Sequence, residues 1–248
     1  MIDAQAPVEV FDEIDSTVLE ARRRAEQGAV VPVWLIARRQ AAGRGRRGRS
    51  WSSLDGNLMA TYLFETDHSP PEVALLGFAT GLAIAETIES ICGPARATLK
   101  WPNDVMLDGA KCAGIMLDSG PRPSGMWAAL AFGVNLAVAP DIADQPATSL
   151  ARALPPDAPA PEPLEFLAAL RPRLTAWDDR LAADGFAPLR TAWLKRAHAF
   201  GSAARVAIGQ EIVEGRLAGL SARGELELET SSGRRLISAG DVLLPNAA

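Results

Sequence analysis

The stretch Gly43–Trp51, GRGRRGRSW, decides how the rest of this chain is read. Its first six residues satisfy the G-x-G-x-x-G spacing of dinucleotide-binding turns, where a strand precedes the glycines and a helix N-terminus follows to receive a pyrophosphate. The upstream half of that context is present, because Val33–Arg39 (VWLIARR) is a short, bulky run of buried-strand type. The downstream half is missing. Arg49–Asn57 (RSWSSLDGN) has no helical apolar period and hands over directly to a second strand-like run, LMATYLFE. Glu65 or Asp67 lies near the distance of a ribose ligand, but without the crossover helix that match is cheap. The stretch reads instead as a glycine–arginine loop between two strands. Gly43, Gly45 and Gly48 let the main chain approach a ligand, and the guanidinium forks bind carboxylate and phosphate bidentately.

Composition narrows what that ligand is. The chain has 248 residues, 48% hydrophobic and 22% charged, which suits one large globular domain with a small appendage. Its net charge of −5 argues against a nucleic-acid partner, yet six arginines fall between Arg38 and Arg49. That contrast points to a focused site for a small anion. Cys92 and Cys112 are the only cysteines and His68 and His198 the only histidines, so neither a disulfide framework nor a zinc cluster is expected. The N-terminal residues lack the basic and apolar regions of a signal peptide, and the apolar run Val73–Ile91 is broken by Gly, Thr and Glu. A cytoplasmic protein without a membrane partner is the expectation.

Periodicity gives the elements. Ser16–Gly28 predicts a helix with a Thr17…Glu20 capping box and a solvated face at Arg22–Arg24. Pro70–Gly93 predicts a long buried helix, and ATLKWP (97–102), CAGIMLD (112–118) and MWAALAFGVNLAV (126–138) predict three strands of a meander, with a Pro/Ser/Gly turn before the last. A Pro-rich connector, Leu154–Pro163, leads to a helix over 164–185 kinked at Pro172. From Gly201 the sequence changes to short alternating strands with Gly and Ser turns, of the size of an SH3-like barrel. The expected organisation is therefore α+β, with a catalytic domain at 1–200 and a small β-barrel at 201–248.

Four motifs, GRGRRGRSW, KWPND (Lys100–Asp104), KCAGI (Lys111–Ile115) and GVNL (Gly133–Leu136), have the order and spacing of biotin protein ligase. The resemblance runs from Phe11, through DST (Asp15–Thr17), to AGDVLL at 239–244. It implies a catalytic domain of the class II aminoacyl-tRNA synthetase/biotin ligase-like kind, a mixed sheet with helices, followed by an SH3-like barrel. It also implies a reaction in which biotin and ATP, with Mg²⁺, give biotinyl-5'-AMP and pyrophosphate, after which a lysine of a biotin carboxyl carrier domain takes the biotinyl group. Only ten residues precede Phe11, too few for the DNA-binding domain some relatives carry, so the monofunctional type without DNA binding is expected. A homodimer is compatible with the family.

Carried over position by position, the resemblance makes Lys111 and Arg46 catalytic. It assigns Ser16, Thr17, Gln40, Gly43, Arg44, Arg46, Lys111 and Gly114 to biotin, and Arg46, Arg49, Trp51, Asn103, Asp104, Lys111 and Asn135 to ATP and the adenylate. Magnesium is expected on the ATP phosphates, with Asp104 as a further oxygen ligand. Arg47 is expected to face solvent. Residue by residue, plainer readings stand beside these: Trp51 stacks on adenine or is core, Asn103-Asp104 bind ligand or form an Asx turn, Asn135 binds the adenylate or caps a strand, and Lys111 is catalytic or a solvated strand-end lysine. The sequence departs from the family at Val18, where Asn is common, and at Ala41, where a second Gln is often seen. A lipoate ligase or octanoyltransferase would share the fold; the Ser, Thr and Gln donors suit a ureido ring rather than an acyl tail.

Overall fold

Strand residues that are apolar on both faces need cover on both sides, and β2 (Val33–Gln40) shows how this chain supplies it. In the computed structural model, which describes residues 2–123, 125–141 and 146–244, Trp34 and Ile36 join one buried cluster while Val33 and Leu35 join another on the opposite face. The sheet has seven strands: β1 (Val8–Ile14), β2, β3 (Leu58–Thr66), β4 (Ala97–Lys100), β5 (Asp104–Leu107), β6 (Ala110–Pro121) and β7 (Met126–Val134). Their order is β1-β2-β3-β7-β6-β5-β4, and only β1 and β2 run parallel. The expected meander is there, with four strands instead of three, because KWPND turns sharply enough for Asp104 to open β5. The turn before β7 includes Ser124, which lies outside the described residues.

Five helices complete this part: α1 (Thr17–Glu26), α2 (Pro70–Cys92), α3 (Leu150–Ala153), α4 (Pro163–Asp184) and α5 (Phe186–Lys195). Helix α1 places Val18, Ala21 and Ala25 on Leu35, Leu63, Ala129 and Ala131. Helices α2 and α4 cover the other face, over Trp34, Tyr62 and Phe132, and α5 packs against both of them and against the C-terminal strands. Helix α2 is long and apolar enough to cross a membrane by length and composition; here its apolar side chains, Leu76, Leu82, Ile84 and Ile88 among them, are buried under the sheet.

Two local expectations change. The capping box belongs to α2, where Ser69 and Glu72 satisfy each other, and to α4, through Glu162 and Glu165. At α1 the N-cap is Ser16, with no side-chain cap, which puts Leu19 rather than Glu20 at N3 and leaves the expected box out of register; Glu20 is engaged by Arg23 and Arg24. The arginine face of α1 is likewise not simply solvated: Arg22 pairs with Asp118, Arg23 with Asp15, and Arg24 with Glu9. Helix α4 runs from Pro163 to Asp184 with Pro172 inside it.

The C-terminal strands are β8 (Ala203–Ile208), β9 (Glu211–Leu220), β10 (Leu226–Thr230), β11 (Gly233–Ile237) and β12 (Asp241–Leu243), antiparallel in the order β11-β10-β9-β8-β12. Among the described residues β11 and β12 do not pair, so hydrogen bonds do not close the sheet into a ring. Leu217, Leu220, Leu226 and Leu228 bury into the same core as α2, and Trp101 Nε1 donates to the Gly224 carbonyl at 3.1 Å. The C-terminal sheet thus shares its core with the first sheet.

Candidate active site

The α1 face of the sheet is left uncovered beyond the N-terminus of that helix. There a cleft of 1360 Å³ opens between Ser16–Val18, the Gly43–Trp51 loop, the glycines of β6 and β7, and the end of β12. The loop is folded on itself. Trp51 N donates to Gly43 O at 2.9 Å, Gly45 N to Arg49 O at 2.8 Å, and Arg47 takes φ 55 at the tip. Glycine is required at 43, where a Cβ would stand 2.5 Å from the Trp51 carbonyl oxygen.

Below the loop, Gly114 of β6 and Gly133 of β7 face each other across the ladder and make a flat step without side chains. The Trp51 indole lies on it: a Cβ on Gly133 would be 2.3 Å from Cε2, and one on Gly114 3.0 Å from Cζ3. Trp51 is therefore half-buried packing on the sheet and also a wall of the cleft. Lys111 Nζ sits 5.8 Å from its ring centroid and 2.7 Å from Asp104 Oδ1. The Lys111 side chain is only 18% exposed, so the solvated strand-end reading is set aside.

Arg46 reaches in from the loop and donates to Asn103 Oδ1 at 2.9 Å, while Asn103 Nδ2 holds the Ile115 carbonyl at 2.7 Å. Burial lowers the proton affinity of the Arg46 guanidinium from its ordinary value; Asp241 opposes this and neighbouring Arg47 and Arg49 add to it. Arg44 is exposed at the mouth. Arg49 pairs with Asp241 at 2.9 Å, and Arg47, expected in solvent, joins the same carboxylate at 3.0 Å. Asn135, just past the end of β7, ties that strand end to a later segment by donating from Nδ2 to Thr148 O, while its buried Oδ1 has no partner among the described residues and the residue lines the cleft.

At the far end Ser16 and Thr17 are buried, and Gln40 Oε1 accepts from Thr17 N at 2.8 Å and from Thr17 Oγ1 at 3.1 Å. Val18 lines the cleft beside them, yet is 4% exposed within the α1 core, which gives an apolar residue its place there. All the site residues named from the sequence thus border one cleft, apart from Gly43, whose part is to fold the loop. Among the described residues no group of three His, Cys, Asp or Glu side chains comes together as a metal cage.

Sequence reasoning missed Lys100, His198, Thr61 and Asp241. Lys100 stood inside KWPND and ends β4 at the cleft, where burial lowers its proton affinity and Asp104 opposes the change. His198 lies about a hundred residues away, joined by a 3.0 Å hydrogen bond between its Nδ1 and Thr98 Oγ1, and no local pattern marks it. Burial, with Lys100 nearby, lowers the His198 pKa below 6.5. The unfolded chain then takes up this proton before the folded one, so stability falls as pH drops through 6.5 and levels off once the folded imidazole protonates. Thermal midpoints across that range are expected to fall less steeply in His198→Gln; identical slopes would rule the residue out as the cause.

Residues 11–135 match the Biotin/lipoate A/B protein ligase family and residues 200–244 the Biotin protein ligase C terminal domain. The chain is 40% identical over 232 residues to a biotin--[acetyl-CoA-carboxylase] ligase of Paracoccus denitrificans, covering 92% of this chain and 96% of that one. It is 32% identical over 250 residues to the enzyme of the same name from Mycobacterium tuberculosis, covering 95% and 88%. Among solved structures, the biotin protein ligase of Aquifex aeolicus in complex with biotin and ATP superposes with a TM-score of 0.79 at 25% identity, over 95% of this chain and 97% of that one. With two cations, a glycine step and a polar wall gathered in one cleft and matches running through both sheets, the chain belongs to the biotin protein ligase family.

Proposed function

We propose that this chain joins biotin to ATP as biotinyl-5'-AMP and passes the biotinyl group to a lysine of a biotin carboxyl carrier domain. The observation that carries the reading is that Lys111 and Arg46 line one cleft with the glycine step and the Ser16–Thr17–Gln40 wall. Attack of a carboxylate on an α-phosphate brings negative groups together, and fixed cations in a half-buried cleft stabilise the charge that builds up. In this reading Lys111 bridges the biotin carboxylate and the α-phosphate. Arg46 and Arg44 hold the biotin carboxylate and the acyl-phosphate region, with Gly43 shaping the loop that carries them, Arg49 holds a phosphate, and Trp51 and Asn135 the nucleoside. Ser16, Thr17 and Gln40 read the ring. Asp104 fits magnesium as a single carboxylate beside phosphates, since that ion keeps several waters and phosphate oxygens. When bound, the metal neutralises phosphate charge.

We assign 1–200 to catalysis and 201–248 to loop support and carrier docking. Asp241 is the support visible here, and because the two sheets share a core a point variant is cleaner than truncation. Asp241→Ala is expected to raise the ATP KM about two- to fivefold at low salt, with the difference shrinking at high salt, since such half-exposed pairs are individually weak. An unchanged KM at low salt would remove the support role.

The test of the reading is ATP–pyrophosphate exchange dependent on added biotin, followed by transfer to a carrier domain. Exchange with biotin supports it. Exchange with lipoate or octanoate alone would keep the fold and change the substrate, and none with any of the three would leave a scaffold without this chemistry.

A further inference from the structure

The geometry points to Thr61, on β3 and outside the cleft, as the positioning residue that fixes which atoms of the polar wall donate and which accept. The argument begins with a group that has no choice. Thr17 N is a backbone amide and can only donate, so the Gln40 atom 2.8 Å away must be the carboxamide oxygen. That oxygen also lies 3.1 Å from Thr17 Oγ1, which must then spend its one proton on it. Thr61 Oγ1, 2.8 Å from Thr17 Oγ1, is left as donor in that contact. The chain of bonds therefore has one direction: Thr61 to Thr17 to Gln40.

Two consequences reach the ligand. Gln40 lines the cleft and its Nε2 has no hydrogen-bond partner among the described residues, which leaves the two amide protons for a ligand. Thr17 keeps one lone pair unused. A donor next to an acceptor matches the edge of a cyclic urea, whose carbonyl accepts and whose adjacent N–H donates. Thr61 is fully buried, held in register with Leu35 and Ala131 on the neighbouring strands, so the anchor of this relay cannot drift. A proton received from Thr61 also polarises the Thr17 hydroxyl into a stronger donor. This inference rests on the proposed function, because it takes the ureido ring as what the wall reads.

Thr61→Val keeps the shape and removes the proton, while Thr61→Ser restores it. With full-length protein, calorimetry of biotin and of its cyclic guanidine analogue, in which a protonated donor replaces the carbonyl oxygen, reads the polarity directly. The expected result is a biotin Kd raised about tenfold in Thr61→Val, near wild type in Thr61→Ser, with the ATP KM unchanged and a smaller preference of biotin over the guanidine. If wild type binds biotin and Thr61→Val binds it as tightly, or if Thr61→Ser is as impaired as Thr61→Val, the positioning role is overturned and the proposed function stands. If wild type binds no biotin, both fall.

Discussion

Lys111→Ala is expected to slow biotin-dependent ATP–pyrophosphate exchange by about 10²- to 10³-fold, with little change in thermal midpoint. The Lys111 ammonium is a strand-end group held between the Asp104 carboxylate and the Trp51 ring, so its loss leaves the strand ladder intact. What disappears is a cation beside the glycine step, where the proposed reaction joins a carboxylate to a phosphate. Arg46 cannot cover for it, because its guanidinium is held on Asn103. Lys111→Arg is expected to recover only part of the rate, since a planar fork does not fill the place of a compact ammonium. Single-turnover formation of the adenylate measures this directly. A loss smaller than tenfold would move the catalytic role elsewhere, with Lys100 next in line.

Gly133→Ala is expected to lower the same rate about 100-fold, from a change of one methyl group. Gly133 pairs with Met59 on one side and Gly114 on the other, so its backbone cannot retreat. The added Cβ would fall 2.3–2.5 Å from three atoms of the Trp51 indole. The ring has to lift, and with it the Gly43–Trp51 pairing that gives the loop its shape. Arg46 and Arg49 hang from that loop, and a displacement of about 1 Å at reacting groups costs on this scale. Tryptophan fluorescence should report the lifted ring while circular dichroism stays native. Full activity with an undisturbed Trp51 signal would show that the step tolerates a side chain.

Much of this was legible because the motifs carry their own physical constraints. The missing helix after Gly48 excludes the dinucleotide turn from the sequence alone, and KCAGI and GVNL carry Lys111, Gly114 and Asn135, which the fold brings to one cleft. Strand β1 was not legible: VEVFDEI is charged and largely exposed, an edge strand with no apolar alternation to betray it. Neither was the direction of the arginines. Arg22, Arg23 and Arg24 look like a solvated face until the fold brings Asp118, Asp15 and Glu9 to them. Asp241 and His198 are single residues whose meaning depends on chain segments far away in sequence, and no local period encodes that.

Four cations in and beside this cleft are already engaged: Lys111 with Asp104, Arg46 with Asn103, Arg47 and Arg49 with Asp241. Binding is therefore an exchange of partners, and its driving force is a difference between two sets of contacts. A simple anion of the surrounding solution can replace one internal partner at a time and gains little by doing so. A ligand pair carrying a carboxylate and a triphosphate replaces those of Lys111, Arg46 and Arg49 together, while Asp241 keeps hold of the loop through Arg47. Selectivity against the common anions of the cell then arises from the number of exchanges made together rather than from the strength of any one.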